Sequence, residues 1–275
     1  MEDTRIAVIG CGNMGYSLIG GLIANGHPRQ CLYGIDIDSE ARDRLARQFD
    51  IAVFATGSES INQADVIVLA VKPQTMQSAA NSLSDILGGR NCLIVSIAAG
   101  IRLSVLAAWL GEGAAIVRVM PNTPALIQAG ASALYANTNV TPAQRNTAEA
   151  IMRSVGLAIW LDDETMMDAV TALSGSGPAY FFLVMEVMEK AALSLGMTQQ
   201  QARLLTLETA FGAAKMALHS SCDAATLRSQ VTSPGGTTER ALNVLLEGNI
   251  ETLFKSALEA ARDRSAELAE TLGGS

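Results

Sequence analysis

Up to about residue 160, apolar residues cluster in short unbroken runs. Between the runs lie polar stretches in which apolar residues return every three or four positions. Unbroken runs of this length are strands buried on both faces, and the intervening pattern is amphipathic helix. Strands are predicted at Ile6–Ile9, Cys31–Ile35, Ile51–Phe54, Asp65–Val71, Asn91–Ile97, Ala115–Met120 and Leu157–Leu161. Helices are predicted from Asn13 onward, over Glu40–Phe49, Gln74–Leu87 and Leu103–Leu110, and from Thr141-Pro142 to Val155. Strand and helix in alternation imply an α/β, doubly wound parallel sheet. From Asp162 the strand pattern stops. Helical spacing takes over at Glu164–Leu173, Pro178–Leu195, Thr198–Leu218, Asp223–Gln230, Thr237–Leu246 and Ile250–Leu272. The chain therefore divides into 1–161, which carries the sheet, and 162–275, which is all helical.

The turn after the first strand carries chemistry. Gly10-Cys11-Gly12-Asn13-Met14-Gly15 is a G-x-G-x-x-G between a buried strand and a helix, the order a dinucleotide site needs. Gly10 allows the tight turn, Gly12 lets the backbone approach a diphosphate, and Gly15 lets helix and strand pack closely. The helix start offers unpaired N–H groups to phosphate. The second strand ends at Asp36, where an acidic side chain holds the adenosine ribose of NAD and repels the 2′-phosphate of NADP. Asp38 and Ser39 cap the next helix, so part of that acidity is capping. Its arginines Arg42, Arg44 and Arg47 form a solvated face, with Arg42 able to rescue NADP binding.

Other strands end on the same crevice. Ala70-Val71-Lys72-Pro73 follows one of them. Lys72 has three readings, a proton donor, a cofactor-side contact or an exposed lysine, and the contact is preferred. Ala98-Ala99-Gly100 is small enough for a ligand to lie against the backbone, and Pro121-Asn122-Thr123-Pro124 makes a rigid loop on the crevice side. In the helical half, Ser174-Gly-Ser-Gly-Pro178 and Ser233-Pro-Gly-Gly-Thr-Thr238 each precede a helix. Each is read as a hinge or as a small-anion site built from N–H groups and hydroxyls.

Composition narrows the field. The chain has 275 residues, 49% of them apolar and 4% aromatic, and a net charge of -8. Without a Lys/Arg cluster, a nucleic-acid or anionic-membrane partner is not expected. No apolar stretch is expected to reach the length of a membrane span, and a strand at once leaves no room for a signal peptide. Four scattered cysteines are read as reduced residues of a cytoplasmic protein. With only two histidines, His27 and His219, neither a metal site nor histidine-based hydride chemistry is expected. Met185, Met188, Leu193, Leu204, Leu205, Leu207, Phe211 and Met216 are more apolar positions than one small bundle can bury. The surplus reads as a subunit interface.

Six motifs in order give the chain a family resemblance: Ile9-Gly-Cys-Gly-Asn-Met-Gly15, Ala70-Val-Lys-Pro73, Ser96-Ile-Ala-Ala-Gly100, Met120-Pro-Asn-Thr-Pro124, Asp168-Ala-Val-Thr171 with Ser174-Gly-Ser-Gly-Pro-Ala-Tyr180, and Ser233-Pro-Gly-Gly-Thr-Thr238. It resembles the pyrroline-5-carboxylate reductases along nearly its whole length. The resemblance implies an N-terminal Rossmann domain and a C-terminal helical domain that dimerises, with larger assemblies open. It implies cofactor contacts at Gly10, Cys11, Gly12, Asn13, Met14, Gly15, Ala70, Val71, Lys72, Pro73, Ala98, Ala99 and Gly100, and Ile9, Asp36 and Asn122 are expected to join them. It places a proline-sized ring at Ser233, Gly235, Gly236, Thr237 and Thr238, with Glu164 nearby and a partner subunit contributing. The implied reaction passes a hydride from NADPH or NADH to the cyclic imine of 1-pyrroline-5-carboxylate. The Gly235 and Gly236 N–H groups would hold the carboxylate, and the Thr238 hydroxyl would orient the ring nitrogen. Family members often use NADPH. Asp36 departs from the neutral residue common in those and leans the reading toward NADH. Two rivals are weighed. A hydroxyacid dehydrogenase would need a lysine such as Lys190 or Lys215 in the helical half, and a non-catalytic redox sensor would leave the glycine-threonine loop unexplained.

Overall fold

In the computed structural model, residues 3–90 and 92–273 are described. By packing, these residues form two compact units. One runs up to Ser176 and takes back the chain from Ala261, and the other is Gly177–Ala260.

The first unit is built on an eight-stranded sheet of order β3-β2-β1-β4-β5-β6-β7-β8. Its strands are β1 (Ile6–Ile9), β2 (Leu32–Ile35), β3 (Ala52–Phe54), β4 (Val66–Leu69), β5 (Leu93–Ser96), β6 (Ala115–Met120), β7 (Gly130–Ala136) and β8 (Gly156–Trp160). Asn91, which the sequence places in the fifth strand, lies outside the described residues. The pairings among β1 to β6 are parallel, β7 runs antiparallel to β6, and β8 runs parallel to β7. The order reverses between β1 and β4, so a crevice opens at their carboxyl ends.

Among the described residues the helices of this unit are α1 (Asn13–Ala24), α2 (Ser39–Phe49), α3 (Ser58–Gln63), α4 (Pro73–Leu87), α5 (Leu103–Leu110), α6 (Pro142–Arg153) and α7 (Met166–Val170), besides the end of the chain's last helix. They cover both sheet faces. Ile6, Val8, Val66, Val68, Val95 and Val117 pack with Leu18 and Leu22 of α1 and Ile151 and Met152 of α6. Ala7, Ile67, Leu69, Ile94 and Ile116 point the other way, onto Met76, Leu83 and Leu106 of α4 and α5. Strands buried on both faces explain why the runs lack alternation.

The second unit consists of α8 (Gly177–Ser194), α9 (Gln199–His219), α10 (Ala224–Gln230), α11 (Thr237–Glu247) and the first part of α12 (Ile250–Gly273). Thr198 caps α9 through a capping box with Gln201, and Asp223 caps α10. Much apolar surface is bare here. Phe181, Leu204, Leu205, Phe211 and Met216 are exposed, Phe181 at 68%.

Two sequence expectations need correction. Ser174-Gly-Ser-Gly-Pro178 is not a loop before a fresh helix start. A π-turn over Thr171–Gly175 carries α7 into α8, and the Ser176 N–H donates to the Thr171 carbonyl at 2.8 Å. The helices on either side fall where the sequence places them, with Pro178 in the first turn of α8, where a missing N–H costs little; what differs is that a π-turn and not a loop joins them. Consequently Met166–Ser194 is one helical run of 29 residues with a mean hydropathy of 1.2 over its best window, of which 11% is buried. By length and composition it is apolar enough to cross a membrane, contrary to the expectation that no stretch would be.

Candidate active site

Glycine turn, strand ends and a cavity converge at the β1/β4 crevice. Gly10 stands at φ 92°, and its N–H donates to the Ile35 carbonyl at 2.8 Å. Gly15 is needed for a different reason. A Cβ there would lie 2.1 Å from the Gly10 carbonyl oxygen. The α1 start has no side-chain cap, and Gly12 as N-cap gives only its carbonyl, to the Tyr16 N–H at 2.9 Å. Among the described residues the N–H groups of Gly12, Asn13 and Met14 have no protein partner. Open donors at a helix N-terminus, with no Cβ between them and solvent at Gly12, fit a diphosphate.

Below the turn, Ala70 donates to the Ile9 carbonyl at 2.7 Å and Ile97 to the Leu69 carbonyl at 3.1 Å, aligning the strand ends. A cavity of about 250 Å³ opens there, lined by Met14, Ala70–Pro73, Ile97–Ala99, Met120 and Pro121. The expected residues Met14, Ala70, Val71, Lys72, Pro73, Ala98 and Ala99 are thus brought together. Ile97, Met120 and Pro121 join them as additions.

Other expected residues have protein partners. Asp36 accepts the Cys11 N–H at 2.6 Å and the Asp38 N–H at 2.9 Å. The Cys11 thiol is buried against the Val8 and Ile35 carbonyls, and burial pushes its pKa up to about 12, so it is an inert core group. Gly100 stands at φ 76°, and a Cβ there would pack on Leu272 at 3.3 Å; the cavity lining ends at Ala99. Asn122 donates to the Ser174 carbonyl and hydroxyl, both at 3.2 Å, and accepts the Ala131 N–H at 2.8 Å. Its amide ties the 121–124 loop to β7 and the π-turn. Glu164 Oε1 takes the Leu103 N–H at 2.8 Å, capping α5, and pairs with buried Arg118 at 2.7 Å.

In the second unit, Ser233–Gly236 leads into α11. Gly235 stands at φ 71° and its N–H donates to Glu239 Oε2 at 2.8 Å. The Gly236 N–H donates to the Ser233 carbonyl at 3.0 Å. Both N–H groups expected to hold a carboxylate are therefore engaged within the chain. With Gly236 as an N-cap lacking any side-chain bond, the donors left by helix geometry are the first-turn N–H groups, those of Thr237 and Thr238 among them. The Glu239 carboxylate, from the first turn of α11, folds back on this loop as a built-in anion. Lys190 pairs with Glu186 on an exposed face, and Lys215 lies 5.7 Å from the Phe211 ring centroid.

Known proteins match the chain in both of its halves. Residues 5–100 match the model of the coenzyme F420-dependent NADP oxidoreductases. Residues 164–268 match the model for pyrroline-5-carboxylate reductase dimerisation. The pyrroline-5-carboxylate reductase of Pseudomonas aeruginosa is 51% identical over 99% of this chain and 100% of its own. That of Haemophilus influenzae is 41% identical with the same coverage of both. Among solved structures, the Coxiella burnetii pyrroline-5-carboxylate reductase superposes with a TM-score of 0.94 at 43% identity, covering 97% of this chain and 98% of that one. The Plasmodium falciparum pyrroline carboxylate reductase, solved with NADP bound, gives 0.86 at 29% identity, covering 98% and 99%. Likeness of that degree runs from the first strand to the last helix of both partners, and the chain belongs to the pyrroline-5-carboxylate reductase family.

Proposed function

We propose that this protein reduces the cyclic imine of 1-pyrroline-5-carboxylate to L-proline with NAD(P)H, the final step of proline biosynthesis. The observation that carries the reading is the uncapped α1 start above the strand-end cavity, in a chain that is a family member over its whole length. The nicotinamide, when bound, supplies a hydride to the imine carbon. The open N–H groups of Gly12, Asn13 and Met14 take the diphosphate, and the lining from Ala70 to Pro73 and at Ala98 and Ala99 takes the nicotinamide side. In this reading the loop from Ser233 to Thr238 presents the imine, in part from a partner subunit. The Thr237 and Thr238 N–H groups hold the carboxylate, and the Gly235 N–H joins them when Glu239 lets go. The Thr238 hydroxyl hydrogen-bonds the ring nitrogen, and its contribution is orientation. A protonated imine is already electrophilic, so no strong protein acid is required.

The functional division at 161/162 belongs to the same reading, supported by a dimerisation match that starts at residue 164. So does a cytoplasmic location, supported by four free cysteines. The bare apolar surface of α8 and α9 is covered by a second copy, with assembly of dimers beyond that. Asp36 supports useful activity with NADH. Rates with NADH and NADPH, in wild type and Asp36→Ser, test that preference; a strong wild-type preference for NADPH would overturn it. For the function itself, NAD(P)H should be consumed only when pyrroline-5-carboxylate is added, with proline formed one for one. Oxidation of hydroxyacids in its place would favour the dehydrogenase rival.

A further inference from the structure

The peptide groups of the glycine turn are held one by one. The Cys11 N–H is taken by Asp36 at 2.6 Å and the Gly12 carbonyl by the Tyr16 N–H at 2.9 Å. Between them, the Cys11 carbonyl accepts a hydrogen bond from Arg44 at 3.1 Å. Arg44 comes from α2, the helix that follows the second strand, and its guanidinium is braced over the Tyr16 ring at 4.5 Å. Tyr16 in turn packs on Phe49, the last residue of α2, with ring centroids 4.8 Å apart and planes tilted by 48°. A rigid frame thus presents one cation to one carbonyl.

In a trans peptide the carbonyl and the next N–H point in opposite directions. The guanidinium that holds the Cys11 carbonyl therefore fixes where the Gly12 N–H points. That N–H is the first open donor of the α1 start. Gly12 has no Cβ to resist rotation of the peptide. We propose that Arg44 is a positioning residue for dinucleotide binding: it locks the Cys11–Gly12 peptide so that the Gly12 N–H faces the coenzyme diphosphate. The proposal rests on the reading that Gly10 to Gly15 grips that diphosphate. It makes a prediction that a simple surface arginine, or one that contacts a 2′-phosphate, does not. NADH and NADPH share the diphosphate, so loss of Arg44 must weaken both by the same factor.

The test is titration of Arg44→Met and Arg44→Lys with NADH and with NADPH, followed by nicotinamide fluorescence without imine, beside thermal melts. Methionine keeps apolar bulk over Tyr16 and removes the donor, whereas lysine keeps the cation. Loss of one charge-assisted hydrogen bond predicts that Arg44→Met raises both dissociation constants about tenfold, and equally. Arg44→Lys should recover part of the loss. In steady state the change should fall on the dinucleotide KM rather than on the imine KM. A loss confined to NADPH would make Arg44 a 2′-phosphate contact and overturn the proposal. So would unchanged affinity with lowered thermal stability. Wild-type protein that binds neither dinucleotide would refute the reading of the turn, and the proposal with it.

Discussion

Single methyl groups separate packing from binding in the nucleotide turn. At Gly15 a Cβ would meet backbone at 2.1 Å, whereas at Gly12 it would meet nothing within 4 Å, with φ at an ordinary -62°. Gly15→Ala should therefore lose thermal stability and dinucleotide binding together. Gly12→Ala should melt like wild type yet bind NADH and NADPH several-fold more weakly, because the methyl stands where the diphosphate approaches. Equal melting losses in both variants would contradict the geometry. Thr238→Ala should lose most of its turnover, a factor on the order of ten to a hundred for an orienting hydrogen bond, while titration shows dinucleotide binding intact. Unchanged turnover would remove Thr238 from the mechanism. The glycines of this turn were legible in the sequence because their spacing between a buried strand and a helix marks the motif, although only Gly10 and Gly15 are demanded by the backbone itself. Arg44 was not, since it is one of three arginines on α2, and its contacts with Cys11 and the Tyr16 ring, both made through the fold, set it apart.

The start of α11 is the element on which substrate binding turns. There the Gly235 N–H already holds a carboxylate, that of Glu239. A substrate carboxylate must displace it to use that donor. Glu239→Ala should thus lower the KM for pyrroline-5-carboxylate several-fold and leave dinucleotide affinity alone. A raised KM would mean that Glu239 instead keeps the loop in its binding shape. Sequence reading found this helix and its glycine start, but not the internal carboxylate, because helix spacing does not say how Gly235 folds back on the first turn. Elsewhere, Val- and Ile-rich strands such as β4 and β6 were plain. Strand β7, Gly130–Ala136, was not predicted, since Gly, Ala and Ser carry little strand preference. It pairs with β6 as an antiparallel neighbour and gains its place from that contact. The π-turn at Thr171–Gly175 escaped for the opposite reason: Ser174, Gly175, Ser176 and Gly177 signal a loop that helix continuity overrides.

For the whole molecule, the alternation of elements announced the doubly wound sheet, and the change of pattern near 161 marked where strands end. Packing divides differently, because Ser265 donates to Asp168 at 2.7 Å and returns the end of α12 to the first unit, a contact no local pattern encodes. The bare apolar residues of α8 and α9 predict that the protein sediments as a dimer or a larger even assembly. Joint substitution of Leu205→Glu and Phe211→Glu, both exposed in the single chain, should yield monomers of much reduced activity. A monomeric and fully active wild type would contradict this. With a dinucleotide deuterated at nicotinamide C4, on the transferable face, and pyrroline-5-carboxylate as acceptor, mass spectrometry should find one deuterium in proline, on the ring carbon beside nitrogen and away from the carboxylate. Proline formed without the label, or folded protein that forms none, would contradict the account.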